Sequence, residues 1–172
     1  MTGMPYHIRE ATLDDAEVLV RHRIAMFTDM GLAFDAAPID RLFRAWLAAH
    51  MPAGVYHAWL VETDTGEIAA GGGLSVLPWP PGPQYAGDRI AVVYNVYTEP
   101  AHRRRGLARR LMAAIHAWCR DAGIASIALN ASQDGRPLYE SMGYRLPSSP
   151  MMFFAFPAGY NPSAQASEMP TV

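Results

Sequence analysis

The sequence contains little that could build a metal site or a disulfide framework. It has a single cysteine, Cys119, so no disulfide can form within the chain and a metal site made of several cysteines is excluded. Its six histidines are scattered and form no HExxH or comparable spacing, which argues against a metalloenzyme. We therefore expect no metal, and a reducing compartment, the cytoplasm, as the location.

A surplus of charge and a long apolar run are also missing. The formal net charge is −2, so no global basic field exists that would hold nucleic acid or draw the chain onto an anionic membrane. No stretch of about 18 uninterrupted apolar residues occurs, and the N-terminal segment lacks the basic start and apolar run of a secretion signal. We expect neither nucleic acid nor a membrane as a partner.

The composition is that of an ordinary globular domain. The 172 residues are 51% hydrophobic and 17% charged, which suits one compact core rather than a disordered chain. We predict a single domain over residues 1–158. Residues 159–172 are polar, contain proline and lack periodicity, which predicts a flexible C-terminal tail.

Hydrophobic periodicity and turn residues predict a mixed α/β domain. A strand at Ile8 is followed by a helix capped by Thr12 and ended by Gly31, and then by a helix over 39–50. A proline-rich loop over 78–88 interrupts the next strands. The remaining predictions are strands at 55–62, 67–77, 89–98, 124–131, 144–146 and 151–156, and helices at 106–121 and 137–142.

The strongest local signal is VYTEPAHRRRGLA, a strand ending at Thr98, an irregular turn, and a helix starting at Gly106. The first N–H groups of a helix lack internal partners and, with the macrodipole, suit a phosphate. Gly106 would let the backbone approach it, and the small Ala108 keeps the next turn open. Arginines at 103–105 oppose the dipole unless an anion is bound. The alternative is a basic helix start on a solvated surface; we favour the anion.

Two motifs then point to a known family. RRRGLA resembles the R/QxxGxG/A pattern of the GNAT superfamily of N-acetyltransferases, with Arg103, Gly106 and Ala108 at the defined positions. LYESMGY over 138–144 is similar to the family's LYExxGF signature, with tyrosine in place of the final phenylalanine. The resemblance covers roughly residues 6–156. It implies a mixed, mostly antiparallel sheet with a splayed central strand pair and flanking helices.

The resemblance also implies acetyl-CoA as cosubstrate and a set of residues that bind it. The strand before the turn would pair with the pantetheine arm, the N–H groups of 104–109 would hold the pyrophosphate, and residues after the next strand would lie beside the pantetheine or adenosine. The implied residues are Val96, Tyr97, Thr98, Arg103, Arg104, Arg105, Gly106, Leu107, Ala108, Arg109, Asn130, Ser132 and Tyr139.

By the same resemblance, Tyr139 is the catalytic general acid. A tyrosine with a pKa of about 10 is protonated at neutral pH and matches a thiolate leaving group. The alternative is a core tyrosine whose hydroxyl is satisfied internally. The implied reaction is direct attack of a neutral amine on the thioester, polarised by the Val96 N–H. Cys119, in mid-helix, is expected to be buried rather than nucleophilic.

One departure from the family pattern leaves the general base open. Many relatives carry a glutamate on the central strand where this chain has Val92. Four residues remain as candidates to line the site: Glu99, Glu62, His57 and Asn95. The family also often has Asn and Ala where this chain has Ser132 and Gly135. His102 is expected to be exposed rather than bound to phosphate.

The expected acceptor is a primary amine of a small molecule or peptide. Apolar residues that could line its pocket are Met26, Phe27, Met30, Phe34, Trp46, Trp79 and Tyr85, and a cationic amine could be attracted by Asp29, Asp35 or Asp88. A non-catalytic acyl-CoA sensor is the main alternative; an ATP-binding protein is remote because GxxxxGK[ST] is missing. A homodimer is a weaker expectation. Acceptor identity, acyl chain length and oligomeric state stay open.

Overall fold

The computed structural model describes residues 6–83, 85–148 and 151–155. Its centre is a five-stranded sheet in which the strands lie side by side in chain order. The first four strands are antiparallel neighbours, and the fifth is parallel to the fourth. The strands are β1 (Tyr6–Glu10), β2 (Tyr56–Thr63), β3 (Ile68–Pro78), β4 (Arg89–Thr98) and β5 (Ile127–Leu129).

Within the described ranges, four α-helices flank the sheet: α1 (Ala16–Asp29), α2 (Ala36–His50), α3 (Leu107–Asp121) and α4 (Arg136–Ser141). Their ends follow the predicted signals. Thr12 and Asp15 form a capping box before α1. Gly31 and Gly123, after α1 and α3, adopt the left-handed conformation that ends a helix. The second helix begins three residues earlier than predicted because Asp35 caps it, accepting a hydrogen bond from Ala37 N at 3.1 Å.

The core has two layers, one on each face of the sheet. Residues alternate in direction along a strand, so Trp59 and Val61 of β2 pack with α3, whereas Tyr56 and Leu60 pack with α1 and α2. The buried face of α3 consists of Leu107, Leu111, Met112, Ile115 and Cys119.

Two irregularities in β4 position the site. The register of β3 and β4 shifts so that Gly71 pairs with Tyr97 but Gly73 pairs with Tyr94, which leaves a bulge at 95–96. On its other side, β4 pairs with β5 only over 91–93. From Tyr94 onward no described residue pairs with this side of β4, so the two strands diverge. The predicted splayed pair and mixed α/β fold are confirmed.

The predicted final strands are wrong where the structure describes them. Residues 144–148 and 151–155 form no strand, and Phe156 lies outside the described residues. Tyr144 N donates to Tyr139 O at 3.0 Å and so closes the end of α4 instead of joining a ladder. In the second segment, Met152, Phe153 and Phe154 are at least 81% exposed, so no face of it is buried against the sheet. The predicted tail, residues 159–172, also lies outside the described residues, so the division at residue 158 stays a prediction.

Candidate functional site

The turn between β4 and α3 presents unpaired backbone donors. Arg104 and Gly106 both have positive φ, 61° and 73°, a conformation that glycine adopts without strain. The first intrahelical bond of α3 is donated by Arg110 N to Gly106 O at 3.1 Å. Within the described residues, the N–H groups of Gly106, Leu107 and Ala108 have no acceptor. An anion therefore fits this turn.

The arginines around the turn do different things. Arg103 is engaged internally: its Nε donates to Thr98 O at 3.0 Å, its Nη2 to the Asp29 carboxylate, and its guanidinium lies over the Tyr97 ring. It fastens the end of β4 to α1. Arg104 and Arg105 are exposed beside the turn.

Farther along α3, two arginines point in opposite directions. Arg109 donates to Ser141 Oγ of α4 at 2.5 Å. Arg110 donates instead to Tyr6 O of β1 at 2.8 Å, so it faces away from the β4–β5 opening.

The predicted pantetheine strand, Val96 to Thr98, borders the divergence of β4 and β5. Val96 sits in the bulge, where its Cγ2 lies 3.2 Å from the position a Cβ on Gly72 would take. The side chain of Tyr97 is buried and packs on the His22 ring at 5.1 Å, and burial raises the pKa of its hydroxyl. Tyr97 can therefore serve a ligand there through its main chain rather than through its phenol.

The segment after β5 brings in Tyr139. Asn130 and Ser132 are exposed, and Ser132 Oγ accepts a hydrogen bond from Gly135 N at 3.1 Å. Tyr139 is half-buried on α4, and burial raises the pKa of its hydroxyl. No other described residue hydrogen-bonds that hydroxyl. The ring packs against the main core cluster, so Tyr139 combines a core-packed ring with a hydroxyl that no described residue satisfies, and its general-acid role stays a prediction.

Comparison with known sequences places the chain in a family. Residues 21–144 match the Acetyltransferase (GNAT) family. The chain belongs to the GNAT acetyltransferase family. No curated protein matches it significantly.

Solved structures share the fold. A GCN5-related N-acetyltransferase from Ralstonia eutropha JMP134 is 35% identical, with a TM-score of 0.77 over 91% of this chain and 100% of its own. A predicted acetyltransferase with acetyl-CoA from Clostridium acetobutylicum is 23% identical, with a TM-score of 0.80 over 87% and 96%. A ribosomal-protein-alanine N-acetyltransferase from Brucella melitensis biovar Abortus 2308 is 22% identical, with a TM-score of 0.67 over 88% and 100%.

In this GNAT domain the candidates for a general base are all engaged elsewhere. Glu99 accepts from Arg21 at 3.0 Å and contacts His22 Nε2 at 3.1 Å. Glu62 accepts from Arg9, and His57 contacts Gly54 O. Asn95 lies in the bulge, but an amide does not accept a proton usefully. No base is assigned.

The expectation that His102 is exposed is wrong. Its ring is 7% exposed, with Nδ1 3.0 Å from Tyr6 Oη and Nε2 3.2 Å from Glu67 Oε1. A short 3₁₀ turn over Pro100–His102 carries the ring to these partners on β1 and beside β3. His102 is thus a structural residue of the GNAT fold here.

Sequence reasoning missed Arg23, although two of its partners, Asn95 and Phe27, are among the predicted site residues. The Arg23 guanidinium lies 4.8 Å from the centres of both the Phe27 and the Phe43 rings, and its Nη1 donates to Asn95 Oδ1 at 2.6 Å. Asn95 Nδ2 donates in turn to Tyr56 Oη at 3.2 Å. One signal was available, because Arg23 falls within the apolar stripe of α1, three residues after Val20.

Of the seven apolar residues proposed for the acceptor, four contact one another in pairs and one contacts a histidine outside the set. Phe27 contacts Phe34, Trp46 stacks on His50, and Trp79 contacts Tyr85. Asp29 pairs with Arg103, and Asp35 caps α2. Asp88 is exposed beside Arg89.

One cavity of the described residues lies apart from the GNAT motifs. It measures about 480 Å³ and lies between α1, the start of β3 and the turn after β4, lined by residues such as Arg21, Glu67 and Glu99. None of the predicted cofactor-binding residues lines it. The turn at Gly106 lies instead beside the open groove between the diverging strands β4 and β5, and such a groove need not form a closed cavity.

Two other kinds of site, a metal centre and a membrane span, are not found among the described residues. No three His, Cys, Asp or Glu side chains of residues 6–83, 85–148 and 151–155 are grouped as a metal ion would require. In the same ranges, no helix has the length and apolarity needed to cross a bilayer.

Proposed function

We propose that this protein transfers an acetyl group from acetyl-CoA to a primary amine of a small molecule or peptide. The observation that carries the proposal is the set of free N–H groups at Gly106, Leu107 and Ala108, which lie in the family's RRRGLA motif next to the divergence of β4 and β5. Family membership supports acyl-CoA as the donor class. Cytoplasmic location and a homodimer remain predictions.

Direct transfer would use backbone N–H groups of the turn and of the bulge, together with the hydroxyl of Tyr139. The free amides at the start of α3 would bind the pyrophosphate, and the Val96 N–H in the bulge would polarise the thioester carbonyl. The neutral amine nitrogen forms the new bond to the carbonyl carbon, and the carbon–sulfur bond breaks. Tyr139 gives its proton to the departing sulfur, and water takes the proton that the amine loses.

A non-catalytic acyl-CoA sensor is the second candidate, favoured by Val92 where many relatives carry an acidic residue. Both candidates predict that acetyl-CoA raises the melting temperature. Only the enzyme predicts release of free CoA when amines, amino acids, aminoglycosides and peptides are offered. Binding without release for every acceptor would favour the sensor.

The phosphate site is tested by Gly106→Glu, which places a carboxylate among the donors. We expect the acetyl-CoA shift to disappear. Gly54→Glu is the matched control, since Gly54 also has a positive φ, 67°, and nothing lies within 4 Å of the position that a Cβ would take there. Unchanged binding in Gly106→Glu would contradict the site.

A further inference from the structure

Arg23 is a charged side chain in an apolar position with little to neutralise it. It lies on α1 between two phenylalanine rings and is half-buried. A guanidinium offers five N–H donors and stays charged. Within the described part of the chain, its only hydrogen-bond acceptor is Asn95 Oδ1, and no carboxylate forms an ion pair with it.

Arg23 differs from the other arginines in combining burial with the lack of an acidic partner: Arg109 and Arg110 also donate to neutral acceptors, but both are exposed. Arg9, Arg21, Arg44, Arg103 and Arg136 each pair with an aspartate or glutamate within 3.0 Å. All of these pairs are more accessible to water than the setting of Arg23, where burial lowers the pKa of the guanidinium. A buried charge without a counter-ion is costly, and a ligand anion would remove that cost.

The bulge in β4 connects Arg23 to the proposed site of acetyl transfer through Asn95. Asn95 has φ 59°, a strained conformation for a residue other than glycine. Its side chain is held on both sides, by Arg23 and by the fully buried Tyr56. Asn95 is adjacent in the chain to Val96, whose N–H would polarise the thioester. A group bound by Arg23 therefore lies beside the bulge.

We propose that Arg23 binds the carboxylate of the acceptor, so that the amines acetylated here are amino acids. A carboxylate would accept two parallel hydrogen bonds from the guanidinium and hold the nearby amine at the bulge. This inference rests on the proposed acetyltransferase function.

The test compares each of the twenty L-amino acids with its carboxamide in a CoA-release assay. The two compounds of a pair differ in the charge that Arg23 would bind. We expect at least one amino acid to exceed its amide tenfold or more in kcat/KM. Equal turnover of acid and amide, preference for amides, or activity with uncharged amines alone would overturn the proposal.

Arg23→Gln separates carboxylate binding from a structural role. If Arg23 binds the acceptor, the variant loses the acid-to-amide preference, mainly through KM. If Arg23 only supports Asn95, acid and amide lose activity together and the preference stays, which refutes the assignment. Arg44→Gln, an exposed arginine paired with Asp40 on α2, is the control and keeps the preference.

If no amine is turned over, ligand-induced shifts of the melting temperature test the assignment of Arg23. With CoA saturating, N-acetyl-L-amino acids should raise the melting temperature and their amides should not. Absence of any shift by the carboxylates contradicts the assignment of Arg23. Absence of a shift by acetyl-CoA itself contradicts the acetyltransferase proposal instead, so the two failures are distinguishable.

Discussion

Two neighbouring tyrosines show how environment separates roles at the scale of a residue. The rings of Tyr139 and Tyr144 are 5.7 Å apart, and burial raises the pKa of both hydroxyls. Tyr144 Oη is hydrogen-bonded to His116 Nε2 at 2.7 Å. Tyr139 has no such partner in the described ranges, so under the proposed mechanism its proton would be free to pass to the departing sulfur.

Tyr139→Phe should lower kcat by about 10²- to 10⁴-fold, the usual contribution of a general acid. The dissociation constant of acetyl-CoA should change little, because the ring remains. Tyr144→Phe removes the neighbouring hydroxyl and is the control. Since the pKa of Tyr139 is raised, wild-type activity should not fall through its titration below a pH of about 10. Full activity of Tyr139→Phe would exclude the acid role.

A second residue-scale prediction concerns pH and His22. His22 is 1% exposed, its Nδ1 has no hydrogen-bond partner among the described residues, and burial lowers its pKa although Glu99 opposes the shift. A lowered pKa means that folding favours the neutral ring. Its contribution is therefore complete above an unfolded pKa of about 6.5 and is lost as the pH falls below it.

We expect the free energy of unfolding to fall between pH 7 and pH 5, measured by chemical denaturation. His22→Gln should make this fall shallower. His7→Gln, at an exposed histidine, controls for the change of residue type. Identical slopes in wild type and His22→Gln would contradict the prediction.

Sequence patterns located some site residues and missed others for one reason. Gly106 and Tyr139 belong to local motifs, in which a few neighbouring letters carry the geometry. Arg23 meets Asn95 across 72 residues, and Tyr6 meets His102 across 96. No local pattern encodes such contacts, so they became visible only in the folded sheet.

At the scale of elements, the glycine run in β3 explains how the bulge is accommodated. Glycine weakens a strand unless close approach requires it. A Cβ on Gly73 would lie 2.3 Å from Tyr56 Oη, and one on Gly72 would lie 3.1 Å from Leu111 Cδ2. Because these glycines lack side chains, Tyr56 can pack closely on one face of β3, where Tyr56 supports Asn95. Helix α3 packs closely on the other face.

Gly73→Ala should destabilise the fold by about 1–3 kcal/mol, the usual cost of forcing extra volume into a packed core. The new methyl group would also lie 2.7 Å from His57 O, and backbone cannot move aside easily. Gly82→Ala is the control, because nothing lies within 4 Å of that position. Urea denaturation measures both, and equal stability of the two variants would contradict the packing argument.

Periodicity predicted elements well where one face is buried by neighbours close in the chain. The helix over 106–121 and the strand over 89–98 were placed within one residue of α3 and β4. The strand predicted over 124–131 is reduced to β5, Ile127–Leu129. The length of β5 is set by its divergence from β4. This divergence is a property of the tertiary structure, which the alternation of apolar residues in the sequence does not encode.

At the scale of the molecule, the alkylation rate of Cys119 measures how stably α3 packs against the rest of the core. It lies on the buried face of α3, 1% exposed, within the cluster that joins this helix to β2, β3 and β4. Burial raises the pKa of its thiol to about 11, so the native thiol is both protonated and inaccessible at neutral pH.

Alkylation of Cys119 should therefore proceed only through opening of α3 from the sheet. If acetyl-CoA binds the start of this same helix, it stabilises the closed state by mass action, and a ligand concentration of 100 times Kd should slow alkylation by roughly 100-fold. Iodoacetamide labelling followed by mass spectrometry measures the rate, with Cys119→Ala as the blank. Gly106→Glu should abolish the slowing. Rapid labelling of the native protein would show that packing of α3 does not protect Cys119. A labelling rate that acetyl-CoA leaves unchanged would show that the ligand does not stabilise the closed position of this helix.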